Sequence, residues 1–140
     1  MGRMFQRAKP FNPETQVLSM RSSYPDFKCN KKGLAMEFTG ILRVMPELPE
    51  YTVTVIYDLD KRPKVYIRAP QLLENAPHLY PDGTLCLYHP DNYHWTREKL
   101  IAKEIMSWTA AWIYFYEVWL ETGKWFGPEV NHQNPKIPND

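Results

Sequence analysis

The residues of this chain that can do chemistry gather in one stretch. It reads Ala76-Pro77-His78-Leu79-Tyr80-Pro81-Asp82-Gly83-Thr84-Leu85-Cys86-Leu87-Tyr88-His89-Pro90, with His94 and Trp95 just beyond. Pro81-Asp82-Gly83 has the composition of a tight turn, so Cys86 lies three residues past a fixed reversal of the chain. A thiol positioned in this way is held more firmly than one on a free loop. For such a cysteine to carry an acyl group as a thioester and release it to an amine, the sulfur would have to be exposed, partly ionised and free of any neighbour that feeds water to the thioester. Such chemistry needs no triad. A donor facing the developing oxyanion helps transfer, and His78 can donate from either ring nitrogen. The same histidine can instead be a packing residue that ties the loop to backbone carbonyls, while His89 and His94 can simply cover the rim.

Three other readings compete for these residues. Between Leu85 and Leu87, Cys86 also reads as a buried small hydrophobe, which would make the protein a catalytically inactive binding scaffold. His78, Cys86, His89 and His94 form a Cys-x2-His-x4-His cluster with an outlying ligand; structural zinc sites usually recruit more cysteines, so no metal is expected. A Cys-His hydrolase would need an Asp or Asn to orient the histidine, and none is evidently placed to do so. The second cysteine, Cys29, lies in the basic turn Lys28-Cys29-Asn30-Lys31-Lys32-Gly33, where lysines can lower a thiol pKa but an ordinary exposed thiol is the default.

What positions the stretch follows from the flanking pattern. The 140 residues, 44% apolar and 24% charged, suit one compact domain, here residues 1–130 with a polar tail 131–140. Asn12-Pro13-Glu14 starts a short helix over 13–23, with Asn12 as cap and Pro13 at the first helical position, and Tyr24-Pro25 bounds it. From Leu34 to Val44 the even positions are apolar, including Met36, Phe38 and Leu42; Tyr51 to Asp58 alternates with Val53, Val55 and Tyr57 on one face; Lys64 to Arg68 puts Val65 and Ile67 inward. Three strands so connected form an antiparallel meander that needs a helix on its apolar face. That helix is predicted from Thr96 as N-cap to Gly123, with Ile101, Ile105, Trp108, Trp112, Tyr116 and Trp119 along one face. Ala69 to Trp95 shows no periodicity, and a structureless segment that long inside a compact domain is usually functional.

Seventeen basic against sixteen acidic side chains leave a net charge of +1, too little for a protein built to neutralise nucleic-acid phosphate. Residues 1–32 hold seven basic and two acidic side chains, net +5, so the remainder carries −4; a solvated basic face is the default reading, and a partner surface the sharper one. Two cysteines are too few for a secreted disulfide framework, no signal peptide or lipidation motif is evident, and a cytoplasmic protein is expected. The apolar run Ile105 to Leu120 contains Glu117 and is shorter than the roughly 20 residues of a membrane helix. It is nonetheless more apolar than one sheet can cover, so part of it is a candidate protein-binding face.

The order of these features resembles the ubiquitin-conjugating enzyme family over roughly Leu34 to Gly127. Arg62-Pro63-Lys64-Val65 opens the last strand, Gly83 stands three residues before Cys86-Leu87, and Trp95-Thr96 precedes the long helix. The family has an asparagine eight residues before its cysteine, where this chain has His78. Pro77-His78, the Tyr80-Pro81-Asp82-Gly83 turn and Gly123-Lys124-Trp125-Phe126-Gly127-Pro128-Glu129 are similar to the prokaryotic branch, in its stand-alone form from short type II CBASS anti-phage operons. The resemblance implies an α+β fold with a short N-terminal helix, an antiparallel meander, an active-site loop and a long C-terminal crossover helix. It also implies a cysteine acyltransferase with Cys86 and His78 as site residues and no cofactor. In the eukaryotic members of the ubiquitin-conjugating family the first helix helps dock the activating enzyme, so the resemblance makes a partner surface the sharper reading of the basic N-terminal segment. The partner it implies is a cGAS-like nucleotidyltransferase, modified or bound, with no direct nucleic-acid or membrane contact.

Overall fold

The structure, a computed structural model, describes residues 11–59, 61–87 and 94–128. His89 and the polar tail 131–140 lie outside them. Helix α1 (Pro13–Ser23) begins as its cap residues dictate: Asn12 Oδ1 accepts from the Thr15 amide at 2.9 Å and from the Thr15 hydroxyl at 2.8 Å, and Pro13 sits at the helix start. Four strands follow, β1 (Lys28–Lys32), β2 (Ala35–Leu42), β3 (Tyr51–Asp58) and β4 (Lys64–Ala69), paired antiparallel in the order β1-β2-β3-β4.

The alternation expected of the strands is observed for Met36, Phe38 and Leu42 on β2, for Val53, Val55 and Tyr57 on β3, and for Val65 on β4, all buried. Leu34 departs from it. The residue is 81% exposed because β2 begins one position later, after the turn at Gly33. Strand β1 was not legible in the pattern. Its sequence Lys-Cys-Asn-Lys-Lys has no apolar face, and it is an edge strand that holds its place by pairing with β2, Cys29 opposite Phe38.

The long helix starts later than Thr96. Residues 96–99 form a turn, Ile101–Ile105 make one π-helical turn, and only then does α2 (Met106–Thr122) run to Gly123, whose φ of 75° closes it in the left-handed conformation. The cap comes from a distance. The buried Gln16 of α1 accepts from the Ile101 amide through Oε1 at 3.0 Å and donates from Nε2 to the Lys99 carbonyl at 2.8 Å, so one amide satisfies both a free N–H and a free C=O where the helix begins.

Ile101, Ile105, Met106, Trp112, Ile113 and Tyr116 share one buried cluster with Phe38, Val53, Val55, Tyr57 and Val65, so the helix covers the sheet as expected. Trp108 and Trp119 of the stripe lie at its margin, half-buried. Glu117 has a reason to stand in the apolar run: it accepts a hydrogen bond from the Tyr51 hydroxyl of β3. Burial, then this carboxylate, push the Tyr51 phenol well above its usual pKa, so the phenol stays a donor.

If Gln16 caps the helix from a distance, Gln16→Leu should cost about 1–3 kcal/mol in urea unfolding, the usual penalty for leaving buried polar groups unpaired. Leu18→Ala, on the exposed side of the same helix, should cost little. Equal losses would show that Gln16 only fills space.

Candidate active site

Cys86 is held by a short hairpin. Tyr80-Pro81-Asp82-Gly83 closes with the Gly83 amide bonded to the Tyr80 carbonyl at 2.9 Å, and Gly83 has a φ of +86°, a conformation that costs glycine nothing. Asp82 Oδ1 accepts from the Thr84 amide at 3.0 Å and from its hydroxyl at 2.6 Å, while Oδ2 meets Lys64 Nζ at 3.1 Å, which staples the turn to the start of β4. Burial opposes ionisation of Asp82, but the Thr84 bonds and the Lys64 ammonium prevail and hold its carboxyl below the usual range. The two arms pair through Tyr80 N to Thr84 O at 2.8 Å, a Leu79–Leu85 bridge, and Cys86 N to His78 O at 2.9 Å. The Leu85 amide reaches the Val65 carbonyl at 2.9 Å, so the hairpin rests on β4.

The His78 carbonyl is the junction of the site. It accepts the Cys86 amide and also Trp112 Nε1 of α2 at 3.1 Å, so both its lone pairs are used. To present that oxygen, His78 adopts a φ of 57°, the left-handed region that non-glycine residues seldom occupy. Its ring is 6% exposed and lies against Trp125, with centroids 4.6 Å apart. His78 therefore meets the hairpin and α2 through its carbonyl, while its ring packs on Trp125.

Cys86 itself is 4% exposed, not the exposed sulfur expected of a carrier. Burial pushes its thiol up from the ordinary cysteine pKa, a hydrogen bond from the Tyr80 hydroxyl and the charge of Arg62 pull it back, and burial prevails. The resting site therefore holds a neutral thiol. That preference stabilises the fold below the unfolded thiol's pKa and is lost as pH rises through the raised one. The sulfur borders an apolar cavity of about 190 Å³ walled by Trp108, Ala111, Trp112, Phe115 and Trp125. Some of the apolar excess of α2 is thus spent on this cavity; Tyr114 and Leu120 remain exposed.

The remaining candidates are dispersed. His94 is exposed, and among the described residues no three His, Cys, Asp or Glu side chains gather as a metal centre. Cys29 is half-buried on β1, at the opposite edge of the sheet from β4; burial raises its pKa while Lys31 and Arg21 lower it. Spacing alone did not single out Arg62, Tyr80 or Trp125 as neighbours of the thiol.

A family model described as the type II CBASS E2 protein matches residues 16–133, a span that runs from α1 past α2 and includes the whole hairpin. The chain belongs to the type II CBASS E2 family. Membership gives it a role in type II CBASS defence and a ubiquitin-conjugating-like α+β architecture, as the order of its motifs implied. No curated protein matches the chain. Among the described residues of this E2 protein no helix is long and apolar enough to cross a membrane.

If the backbone at His78 rather than its ring chemistry sets the hairpin, the choice of replacement should matter. Asparagine tolerates the left-handed region and valine does not. His78→Asn should therefore be more stable than His78→Val by about 1–2 kcal/mol in chemical denaturation, although both lose the contact with Trp125. Equal stabilities would remove the backbone argument.

Proposed function

We propose that Cys86 is an acyl carrier that serves the operon's cGAS-like nucleotidyltransferase, either by modifying it or by forming a thioester with its C-terminus. The observation that carries this reading is the placement of the thiol: the one cysteine within the conjugating-enzyme motif order is fixed by a stapled hairpin and lines a preformed cavity. The donor carboxyl arrives already activated, because a thiolate cannot displace oxide from a free carboxylate. The Cys86 thiol loses its proton to solvent, sulfur bonds to the acyl carbon, and the activating group leaves with its electron pair. An acceptor amine then attacks the thioester; the new C–N bond forms, sulfur departs as thiolate, and the amine sheds a proton. The water-poor walls of Trp112, Phe115 and Trp125 would slow hydrolysis of the intermediate. His78 is a positioning residue here, acting through its carbonyl. Two free cysteines agree with a cytoplasmic setting.

The burial of Cys86 supports a second reading, an inactive scaffold that binds the nucleotidyltransferase without chemistry. Variants co-expressed with the operon neighbours and analysed under non-reducing conditions separate the two. Cys86→Ala should abolish the covalent conjugate and Cys29→Ala should retain it, with Cys86→Ser trapping a slower oxyester. A defence phenotype unchanged by Cys86→Ala would establish the scaffold, and a conjugate that depends on Cys29 would overturn the assignment.

A further inference from the structure

The side chains that line the pocket with Cys86 are uncharged. Helix α2 contributes Trp108, Ala111, Trp112 and Phe115, and the segment after it contributes Trp125 and Pro128. The His78 ring is turned to Trp125, and the Lys64–Asp82 ion pair is at the far end of the hairpin. Outside this lining, Tyr80 and Arg62, both at least nine-tenths buried, are the residues that act on the thiol. The hairpin register explains why the tyrosine faces the sulfur. His78 pairs with Cys86 and Tyr80 with Thr84, so Tyr80 and Cys86 are diagonal neighbours on one face, about 7–8 Å apart at the backbone and within reach of an aromatic side chain. Arg62, from the loop before β4, lays its guanidinium over the Tyr80 ring, 4.6 Å from the centroid.

We propose that Tyr80 is a catalytic residue that donates its hydroxyl to the Cys86 thiolate, and that Arg62 is the positioning residue that fixes the ring and sharpens its donor. A cation on the face of a phenol withdraws electron density from the ring, which makes the hydroxyl a stronger donor while the tyrosine keeps its proton. The Cys86 proton goes to solvent. The pair rests on the carrier reading, in which negative charge develops on sulfur twice: before it attacks the donor and again when it leaves to the acceptor amine. The lining of the pocket favours the neutral thiol, and Tyr80 and Arg62, which lie outside that lining, are the groups that oppose it.

The test is the pH dependence of Cys86 alkylation by iodoacetamide, followed by intact mass in a Cys29→Ala background, with the thiolate's ultraviolet absorbance as an independent readout. Tyr80→Phe keeps the ring and removes only the donor. It should slow alkylation about tenfold below the thiol pKa and leave the alkaline limiting rate unchanged, the size expected for one hydrogen bond to a charged group. Arg62→Gln should shift the profile in the same direction, and Arg62→Lys should restore part of it. A Tyr80→Phe profile within twofold of the parent in both readouts overturns the proposal. If the profile shifts as described and no acyl conjugate forms with any operon partner, the pair stands and the carrier reading fails. If conjugation is intact and the profile does not move, the reverse holds.

Discussion

The carbonyl oxygen of His78 is the constraint on which the site depends. Through one acceptor it joins three parts of the chain: the hairpin arm that carries Cys86, the tryptophan at the middle of α2, and the left-handed turn that aims the oxygen at both. Without the left-handed φ the carbonyl would point elsewhere, and both the Cys86 amide and the Trp112 indole would lose their buried acceptor. A backbone conformation that is costly in isolation persists here because two hydrogen bonds and the packing of the ring on Trp125 over-determine it.

This arrangement sets reactivity against protection. A thiol enclosed by tryptophans is protonated and shielded, which suits a cysteine that must not oxidise or react at random in the resting protein. The same enclosure would keep water from a thioester. The polar contribution comes from a phenol and a guanidinium stacked at 4.6 Å. The fold supplies this asymmetry cheaply: the sheet positions Arg62 and the hairpin, and the helix supplies walls that carry no charge near the sulfur.

Local rules account for what could be read from the sequence. The cap at Asn12, the alternation in β2 to β4 apart from Leu34, and the stop at Gly123 each depend on neighbours within a few residues, and each appears where expected. The turn before Cys86 was legible for the same reason. Features set by distant partners were not. Strand β1 forms on β2 despite a lysine-rich sequence, and the delayed start of the long helix is dictated by a glutamine 85 positions away. Likewise, nothing in the spacing of Arg62, Tyr80 and Cys86 announces their meeting, and the burial of the thiol depends on Trp112 and Trp125, which only the tertiary fold delivers.

The chemistry of the bond made by Cys86 is the central claim, and the intact mass of the covalent complex purified with its operon neighbours tests it most directly. A thioester weighs the two proteins less one water and is cleaved by hydroxylamine as well as by thiols. That mass and that lability are the expected result. A complex that weighs the two proteins less two hydrogens and resists hydroxylamine would be a disulfide, and would contradict acyl carriage at this site.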